Sequence, residues 1–370
     1  MAPLENHRET MISTIQLNNT SPKFDTKIEK KYENQIVWKN VILLSILHGL
    51  VVYGFYLLFA GYGKWKVVLF NAVYWPFISI GITAGAHRLW AHRTYKANLP
   101  LRIYLMLAHT AAAQNHIYDW VRDHRVHHKY TDTDADPHNA TRGFFFSHMG
   151  WLLYKKHKDV IEKGKTIDMS DILADPVLRF QIKYYYPLVF VMYFIPVVIP
   201  WYFFDSPLWH SFLTSTGRYV FTLHGTWCIN SVAHKFGTKP YDKSIRAVDN
   251  SVMGPLGLGE GWHNYHHVFP WDYKTGELSG CKSNFTAAFI EFMAKFDWAT
   301  DLKKASDEMI RKRVYRTGDG TWSKMDILKK CDFSNSEFID NGESYWGWGD
   351  KDMKQEEIQA INKYNHIRDL

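Results

Sequence analysis

Two long uncharged runs early in the chain constrain its fold more than any other feature. Residues 41–61 and residues 67–86 contain no Asp, Glu, Lys or Arg. A helix rises about 1.5 Å per residue, so each run can cross the roughly 30 Å of hydrocarbon in a bilayer. Only a short turn separates the two runs. We therefore predict a transmembrane hairpin over residues 36–86, with helices at about 41–61 and 67–86.

A second pair of runs lies at residues 184–204 and 211–234. The first is apolar and carries aromatic residues at its edges, which suits the membrane–water interface. The second is weaker because Arg218 and His224 interrupt it, and a buried helix of a water-soluble domain is the alternative. The pair predicts a transmembrane hairpin over residues 184–234. The predicted fold is an all-α membrane protein with four transmembrane helices.

The distribution of Lys and Arg predicts which side of the membrane each segment occupies. These residues are abundant in residues 87–183 and in both tails, and absent from the turn at 205–210. The positive-inside rule then places both termini in the cytosol, together with segments 87–183 and 235–322, which carry the histidine boxes. Lys64 and Lys66, in the turn of the first hairpin, do not follow this rule.

Composition argues against several other classes of protein. The net charge is +7, but zinc-finger spacing, an RNP signature and a basic heptad arm are lacking, so no nucleic-acid partner is expected. Cys228, Cys281 and Cys331 are sparse and form no C-x-x-C motif, which predicts a reducing compartment. Residues 1–35 are polar and predict a tail without a signal peptide. Residues 323–370 predict a second polar tail, either free or folded back as a cap.

Three histidine boxes carry the chemistry. The pattern H-x-x-H-H occurs at 124–128 and again at 263–267, and His87 and His92 form an earlier pair. Residues three and four apart share one face of a helix, so each H-x-x-H-H box presents three imidazoles to one point. Near the end of the fourth run, an Asn and a His follow at a spacing of four. The candidate metal-binding residues are His87, His92, His124, His127, His128, Asn230, His234, His263, His266 and His267.

The spacing of His87 and His92 is awkward for two ligands of one centre. Five residues along a straight α-helix place side chains about 140° apart. The two imidazoles can share a centre only if the second run unwinds or ends between them. We therefore predict a break in the helix near Trp90 and Ala91.

Nine imidazoles exceed the needs of a single ion, since structural zinc takes four ligands and often prefers cysteine. Nine nitrogens suit two ions, with room for a small molecule between them. Imidazole accepts zinc, copper, iron or nickel, so the ligand type alone does not name the metal. Asp123 and Glu260 lie beside the boxes and are candidates for carboxylates that orient the ligands. The alternative for both is an ordinary surface carboxylate.

The boxes and the short motifs around them resemble those of the membrane acyl-CoA desaturases of the stearoyl-CoA desaturase type. The similarity is to insect-like members of that family. The matching words are Gly-Ile-Thr-Ala-Gly-Ala-His-Arg-Leu-Trp at 81–90, Asp-Ala-Asp-Pro-His-Asn at 134–139 and Gly-Glu-Gly-Trp-His-Asn-Tyr-His-His-Val-Phe-Pro at 259–270. The resemblance covers about residues 37–322. It implies four transmembrane helices under a cytosolic cap that holds two iron ions.

The resemblance also implies how the ligands divide between the two ions. One iron would bind His87, His92, His124, His128 and His266. The other would bind His127, His234, His263 and His267, with Asn230 reaching it through water. Each matching position holds the expected residue.

The implied reaction is the O2-dependent insertion of a cis double bond into a saturated fatty acyl-CoA. The resemblance implies roughly 14 to 18 acyl carbons and a delta-9 or delta-11 type, with two Fe2+ ions doing the oxidation. Electrons would come from cytochrome b5, which NADH-cytochrome b5 reductase reduces. The implied location is the endoplasmic reticulum membrane, in contact with membrane lipid.

Positions that contact substrate in the family also have counterparts here. Gln114, Thr226 and Trp227 would enclose the bend of the acyl chain, with core packing or helix capping as the alternative. The end of the acyl tunnel is predicted to lie near residues 71–79. The positions implied to contact CoA are Asn40, Asn115, Arg122, Asp123, Lys155 and Lys156.

Two features qualify the CoA assignment. Position 155 is Lys where vertebrate members have Arg, which puts a bidentate phosphate contact in question. The pair Lys155 and Lys156 could instead form a basic patch that faces lipid headgroups.

Two other functions fit part of the pattern. Membrane di-iron fatty acyl hydroxylases share histidine boxes but lack the Gly-Trp-His-Asn-Tyr-His-His setting. A zinc-binding membrane receptor or transporter would carry its histidines inside the spans, whereas the boxes here flank them.

Overall fold

The computed structural model describes residues 34–277, 284–322 and 344–366, and these residues are mainly helical. Two π-helical stretches, Leu58–Tyr62 and Gly81–Ala91, extend the first two α-helices. The α-helices are α1 (Trp38–Leu57), α2 (Trp65–Ile80), α3 (Leu99–Ala112), α4 (Ile117–Lys129), α5 (Phe144–His148), α6 (Lys158–Gly164), α7 (Ser170–Ala174), α8 (Pro176–Phe203), α9 (Leu208–Ser231), α10 (Met253–Leu256), α11 (His263–Val268), α12 (Phe285–Ala294), α13 (Asp307–Thr317) and α14 (Gln355–Ala360).

Short 3₁₀ turns and strands complete the described elements. The 3₁₀ turns are Ala140–Arg142, Gly150–Leu152 and Val232–His234. Strand β1 (Lys96–Ala97) pairs antiparallel with β2 (Ala299–Thr300), and β3 (Leu302–Lys304) pairs antiparallel with β4 (Asn362–Tyr364). The strands are too short to form a sheet core, so the prediction of a helical protein is confirmed.

Three helices among the described residues are long and apolar enough to cross a membrane. They cover Trp38–Tyr62, Trp65–Ala91 and Pro176–Phe203. Many large apolar side chains on the first and third remain exposed, as expected for surfaces that face lipid. The chain therefore has the character of a membrane protein.

The observed helices differ from the predicted runs at their ends. The second continues to Ala91 rather than ending at 86, and the third begins at Pro176 rather than at 184. The early start of α8 has a local cause, because the Asp175 side chain caps its first turn and Pro176 occupies the first helical position. A kink at Tyr184 marks the predicted start.

The fourth predicted run forms α9. This helix is long enough to cross a membrane, but its composition is more polar than that of the three candidate spans. The helix packs against α1, α2 and α8, and it buries many of its polar side chains, including Arg218. Contact with protein on several sides explains why this run tolerates residues that lipid would not.

Part of the predicted C-terminal tail is well defined. Residues 344–366 fold back, and β4 pairs with β3 while Trp346 is buried. The second of the two alternatives for this tail is thus observed for these residues. The predicted N-terminal tail lies outside the described residues except for its last two positions, and Cys281 and Cys331 also lie outside them.

Candidate metal centre

Nine histidines from distant parts of the chain converge in two groups. Within each group, one ring nitrogen of every histidine lies within 4.8 Å of the others. Most of these side chains are buried. The first group consists of His87, His92, His124, His128 and His266, and the second of His127, His234, His263 and His267. The membership matches the division that the resemblance implied.

A π-helix brings His87 and His92 together. The main-chain N–H of His92 donates to the carbonyl of His87 at 3.1 Å, which is the i→i+5 bond of a π-helix. The wider turn brings the two rings together nearly perpendicular to each other, with centroids 4.8 Å apart. The helix ends at Ala91, between the two histidines, as predicted, but it reaches this end through a widened π turn that the spacing alone did not indicate.

Tight packing and hydrogen bonds support this π-helix from outside. A Cβ on Gly81, its first residue, would lie 2.1 Å from the main-chain nitrogen of His109 in α3, so only glycine allows this approach. At the other end, the buried guanidinium of Arg125 donates to the carbonyls of Trp90 and Ala91, at 2.7 and 3.0 Å. These carbonyls belong to the last turn, which otherwise leaves them unpaired.

The two H-x-x-H-H boxes each serve both groups. On α4, His124 and His128 face the first group, whereas His127 faces the second. On α11, His263 and His267 face the second group and His266 faces the first. The prediction that each box points at a single centre is therefore wrong, since the i+3 residue diverges far enough to reach the neighbouring group.

Oxygen atoms close to the outer ring nitrogens orient several of the imidazoles. Nδ1 of His87 lies 2.8 Å from Glu260 Oε2, and Nδ1 of His127 lies 2.9 Å from Asp136 Oδ1. Nδ1 of His92 contacts the main-chain carbonyl of Trp346. An oxygen acceptor at Nδ1 places the proton there and leaves the Nε2 lone pair directed into the group.

The Nε2 atoms approach one another in a way that suits a metal ion. The distances are 2.9 Å for His87–His266, 2.8 Å for His92–His124, 3.0 Å for His128–His266, 3.1 Å for His234–His263 and 3.0 Å for His263–His267. Two imidazoles bound at right angles, each about 2.1 Å from one ion, have nitrogens about 3 Å apart. A single N–H on His266 or His263 could not serve both of its neighbours. The residues present therefore fit bound metal ions.

For seven of the nine histidines, burial lowers the pKa and favours a neutral imidazole that is ready to bind a cation. Burial, reinforced by His267, lowers the pKa of His128 well below its usual value. Burial would raise the pKa of Glu260, but Arg88 and His87 outweigh it and hold this pKa at about 2. Glu260 is thus an anion beside the first group at neutral pH.

A buried ion pair fixes Glu260 in turn. Arg88 is fully buried on the π-helix and donates to Glu260 Oε1 from Nη2 at 2.9 Å and to the carbonyl of Tyr273 from Nη1 at 2.7 Å. The predicted role of a ligand-orienting carboxylate is found at Glu260. It is not found at Asp123, whose described contacts are ion pairs with Arg122 and Lys156.

Several supporting residues escaped the sequence reasoning, namely Arg88, Arg125, Asp136 and Trp346. Asp136 lies in the Asp-Ala-Asp-Pro-His-Asn word, where its carboxylate could have been weighed as a partner for box 2. Arg88 and Arg125 lie inside boxes 1 and 2, where a buried arginine has no distinguishing spacing. Trp346 is 254 residues from His92, and no local signal connects them.

The candidate substrate residues line a cavity beside the histidines. A cavity of about 290 Å³ is bordered by Asn40, Gln114, Asn115, Asp123, Thr226, Trp227 and Asn230. Gln114 donates to Thr226 Oγ1 at 2.9 Å across it, and Asn40 donates to the carbonyl of Leu152 at 2.7 Å. Arg122, Asp123 and Lys156 border a neighbouring cavity of about 250 Å³. The main-chain N–H of Lys155 donates a hydrogen bond to the carbonyl of Gln35. Lys155 itself borders neither cavity.

Two further cavities extend from the histidines toward α1 and α2. The nearer, of about 80 Å³, shares Thr226 and Asn230 with the cavity of 290 Å³ and also touches His87 and Trp75. The farther, of about 390 Å³, lies between α1, α2 and α9 and begins on the other side of Trp75. Together with the cavity of 290 Å³, they form an interrupted path that passes both the histidines and Gln114.

The fatty acid desaturase family model matches residues 63–275, which include all nine histidines. The chain belongs to the fatty acid desaturase family. It is 52% identical over 338 residues to an acyl-CoA Delta-9 desaturase of Acheta domesticus, which covers 90% of this chain and 88% of that protein. It is 46% identical over 363 residues to an acyl-CoA Delta-12 desaturase of Tribolium castaneum, which covers 97% of this chain and all of that protein.

A vertebrate relative shows the same membership. Stearoyl-CoA desaturase 5 of Bos taurus is 52% identical over 294 residues, which covers 78% of this chain and 86% of that protein. The family predicted from the histidine boxes is therefore confirmed. Relatives of similar identity carry different double-bond positions in their names, so identity alone does not assign one to this chain.

Proposed function

We propose that this chain is an acyl-CoA desaturase that uses O2 to insert a cis double bond into a saturated fatty acyl-CoA. The observation that carries the proposal is the pair of buried histidine groups beside a path of cavities. The names of its relatives support the same reaction. The proposed substrate has roughly 14 to 18 acyl carbons, and the double bond is of delta-9 or delta-11 type.

Two Fe2+ ions are the proposed cofactors. The first histidine group would hold one ion, and the second would hold the other with Asn230 beside it. When bound, the ions supply the oxidising power that an unactivated C–H bond requires. The protein orients the ligands, since Glu260, Asp136 and the Trp346 carbonyl hold the imidazole rings that would face the ions.

The proposed path places the CoA group at the basic end. Arg122 and Lys156 border the cavity of 250 Å³ and would pair with CoA phosphates. Asp123 lies between the two cations and offsets part of their charge. Asn115 would add a contact from the cavity of 290 Å³, where the acyl chain would bend past Gln114, Thr226 and Trp227, and Lys155, which borders neither cavity, would add only its positive charge.

The proposed topology has four spans, including α9, with both termini in the cytosol. The histidines follow the last residues of α2 and α9, so both helices end on the side that carries the centre. The proposed location is the endoplasmic reticulum membrane. There, cytochrome b5 and its NADH-dependent reductase would supply the two electrons.

Replacing Trp75 with Ala is expected to shift the preference toward longer acyl chains. Trp75 separates the cavities of 80 and 390 Å³, and its ring packs edge-on against Phe221 with centroids 5.4 Å apart. One methylene in a tight pocket changes substrate preference roughly 10- to 200-fold, so opening this partition should change the ratio of products severalfold or more. Chain-length analysis of the unsaturated products would measure it.

Trp65→Ala is the matched control, because Trp65 lies on the same helix but is exposed and borders neither cavity. An unchanged product ratio in Trp75→Ala would show that the tunnel ends elsewhere.

Expression in a desaturase-deficient yeast tests the proposed function directly. Unsaturated acyl chains should appear, and mass spectrometry would locate their double bonds. Hydroxy-acyl products without olefin would indicate the hydroxylase alternative instead. A purified protein that binds only zinc, with no response to iron, would favour a zinc-binding receptor or transporter.

A further inference from the structure

We propose that residues 345–352, here called the C-terminal strap, position His92 and thereby determine whether the first histidine group retains its metal ion. This inference rests on the proposed metal centre. It assigns a role to a segment that lies beyond the residues matched by the family model.

The strap holds His92 by both its ring and its main chain. The carbonyl of Trp346 accepts from Nδ1 of His92, and the main-chain N–H of Trp348 donates to the carbonyl of His92 at 2.9 Å. His92 is the residue that ends the π-helix. The strap therefore supplies partners where the helix no longer does.

The side chain of Trp346 anchors the strap between two cations. Its ring lies 4.0 Å from the guanidinium carbon of Arg125 and 4.8 Å from that of Arg93, and only 2% of the residue is exposed. Buried cation–π contacts of this kind stabilise the position of an aromatic ring. Because Arg125 also binds the carbonyls of Trp90 and Ala91, one side chain links the strap to the last turn of the π-helix.

A second anchor ties the strap to α4. Lys129, which follows the ligand candidate His128, pairs with Asp350 at 3.2 Å and with Asp352 at 2.5 Å. Asp350 also accepts from the main-chain N–H of Trp346 at 3.0 Å. The strap thus connects the two helices that supply four of the five histidines of the first group.

Gly347 makes this approach possible. Its φ is +151°, and a Cβ there would lie 2.7 Å from both Cα and the carbonyl oxygen of His92. Both atoms belong to the main chain and cannot rotate away. Any side chain at position 347 would therefore separate the strap from His92.

The strap acts on one histidine group and not the other. The ring of His87 in the first group has Glu260 as its acceptor, and that of His127 in the second has Asp136. For His92, the acceptor is the strap carbonyl. Loss of an acceptor that orients a ligand typically costs 10- to 100-fold in metal affinity, so loss of the strap contact should weaken the first site selectively.

The test measures metal content of the purified full-length chain carrying Gly347→Ala. The expected result is a loss of iron from about two ions per chain to about one during dialysis, with affinity at the weakened site reduced about 10- to 100-fold. Mössbauer spectroscopy of the retained iron should show one environment in place of two. Trp346→Phe keeps an aromatic ring between the arginines and the same carbonyl, so it should retain both ions.

Gly320→Ala is the matched control. Gly320 also has a positive φ, of +86°, but a Cβ there would meet nothing within 4 Å. This variant carries a similar backbone strain away from the histidines and should keep both ions. Thermal unfolding of the three variants separates a local effect from a general loss of structure.

Full retention of iron by Gly347→Ala would overturn the strap proposal and leave the metal centre intact. Equal loss from both sites in a variant that unfolds normally would overturn the selective role. If the unsubstituted chain binds no iron, the proposed centre fails, and the strap proposal fails with it.

Discussion

Replacing His128 with Ala is expected to abolish desaturation while the protein still accumulates in membranes. His128 lies at the junction of the two histidine groups, with its ring 4.4 Å from His92 and 4.3 Å from His267 between centroids. Removing a direct ligand should cost more than the roughly 100-fold that loss of an orienting partner can cost. Double-bond products in desaturase-deficient yeast, together with an immunoblot of the membrane fraction, would measure both parts.

His109→Ala provides the control for this substitution. His109 is as deeply buried as His128, but it lies on α3, outside both groups, and its Nδ1 contacts Gln181. Its loss should lower stability without preventing desaturation. Near-normal olefin formation by the His128 variant would refute the ligand role of that residue.

The sequence identified the nine histidines that the structure brings together, because the spacing within each box is a local property. A helix fixes which residues three and four apart face one side, and both H-x-x-H-H boxes do fall on helices. Their division between two groups did not follow from spacing. It depends on where α4 and α11 lie relative to the π-helix and His234, which only the resemblance implied.

The π-helix at His87 and His92 could not be predicted from local residues. Its hydrogen bonds are stabilised by distant partners, since Arg125 binds the last carbonyls and α3 approaches at Gly81. The spacing of five correctly indicated a departure from a straight α-helix. It did not distinguish a widened turn from a broken one.

Hydropathy similarly identified the three helices that are long and apolar enough to cross a membrane but described the fourth predicted run poorly. Arg218 weakens the run because hydropathy assumes that each side chain faces lipid, whereas α9 packs among several other helices. The C-terminal strap was left undecided for the same physical reason. Its stability comes from contacts with Arg93, Arg125 and Lys129, which precede it by more than two hundred residues.

Glu260→Gln and Asp136→Asn are expected to weaken different metal sites. Each substitution keeps the size of the side chain but removes the negative charge that orients a ligand, His87 in the first group and His127 in the second. Each should reduce metal affinity or activity about 10- to 100-fold. Glu260→Gln should also leave the buried guanidinium of Arg88 without its anion, so its effect on stability should be the larger.

Metal titrations of both variants, with thermal unfolding in parallel, would measure these effects. Glu291→Gln is the control, because Glu291 accepts a hydrogen bond from Tyr273 at 2.9 Å and belongs to neither histidine group. If Glu260→Gln bound iron as tightly as Glu291→Gln, the carboxylate would serve only to pair with Arg88. Tight binding at the first site in Asp136→Asn, together with loss at the second, would show that the two groups hold their ions through separate supports.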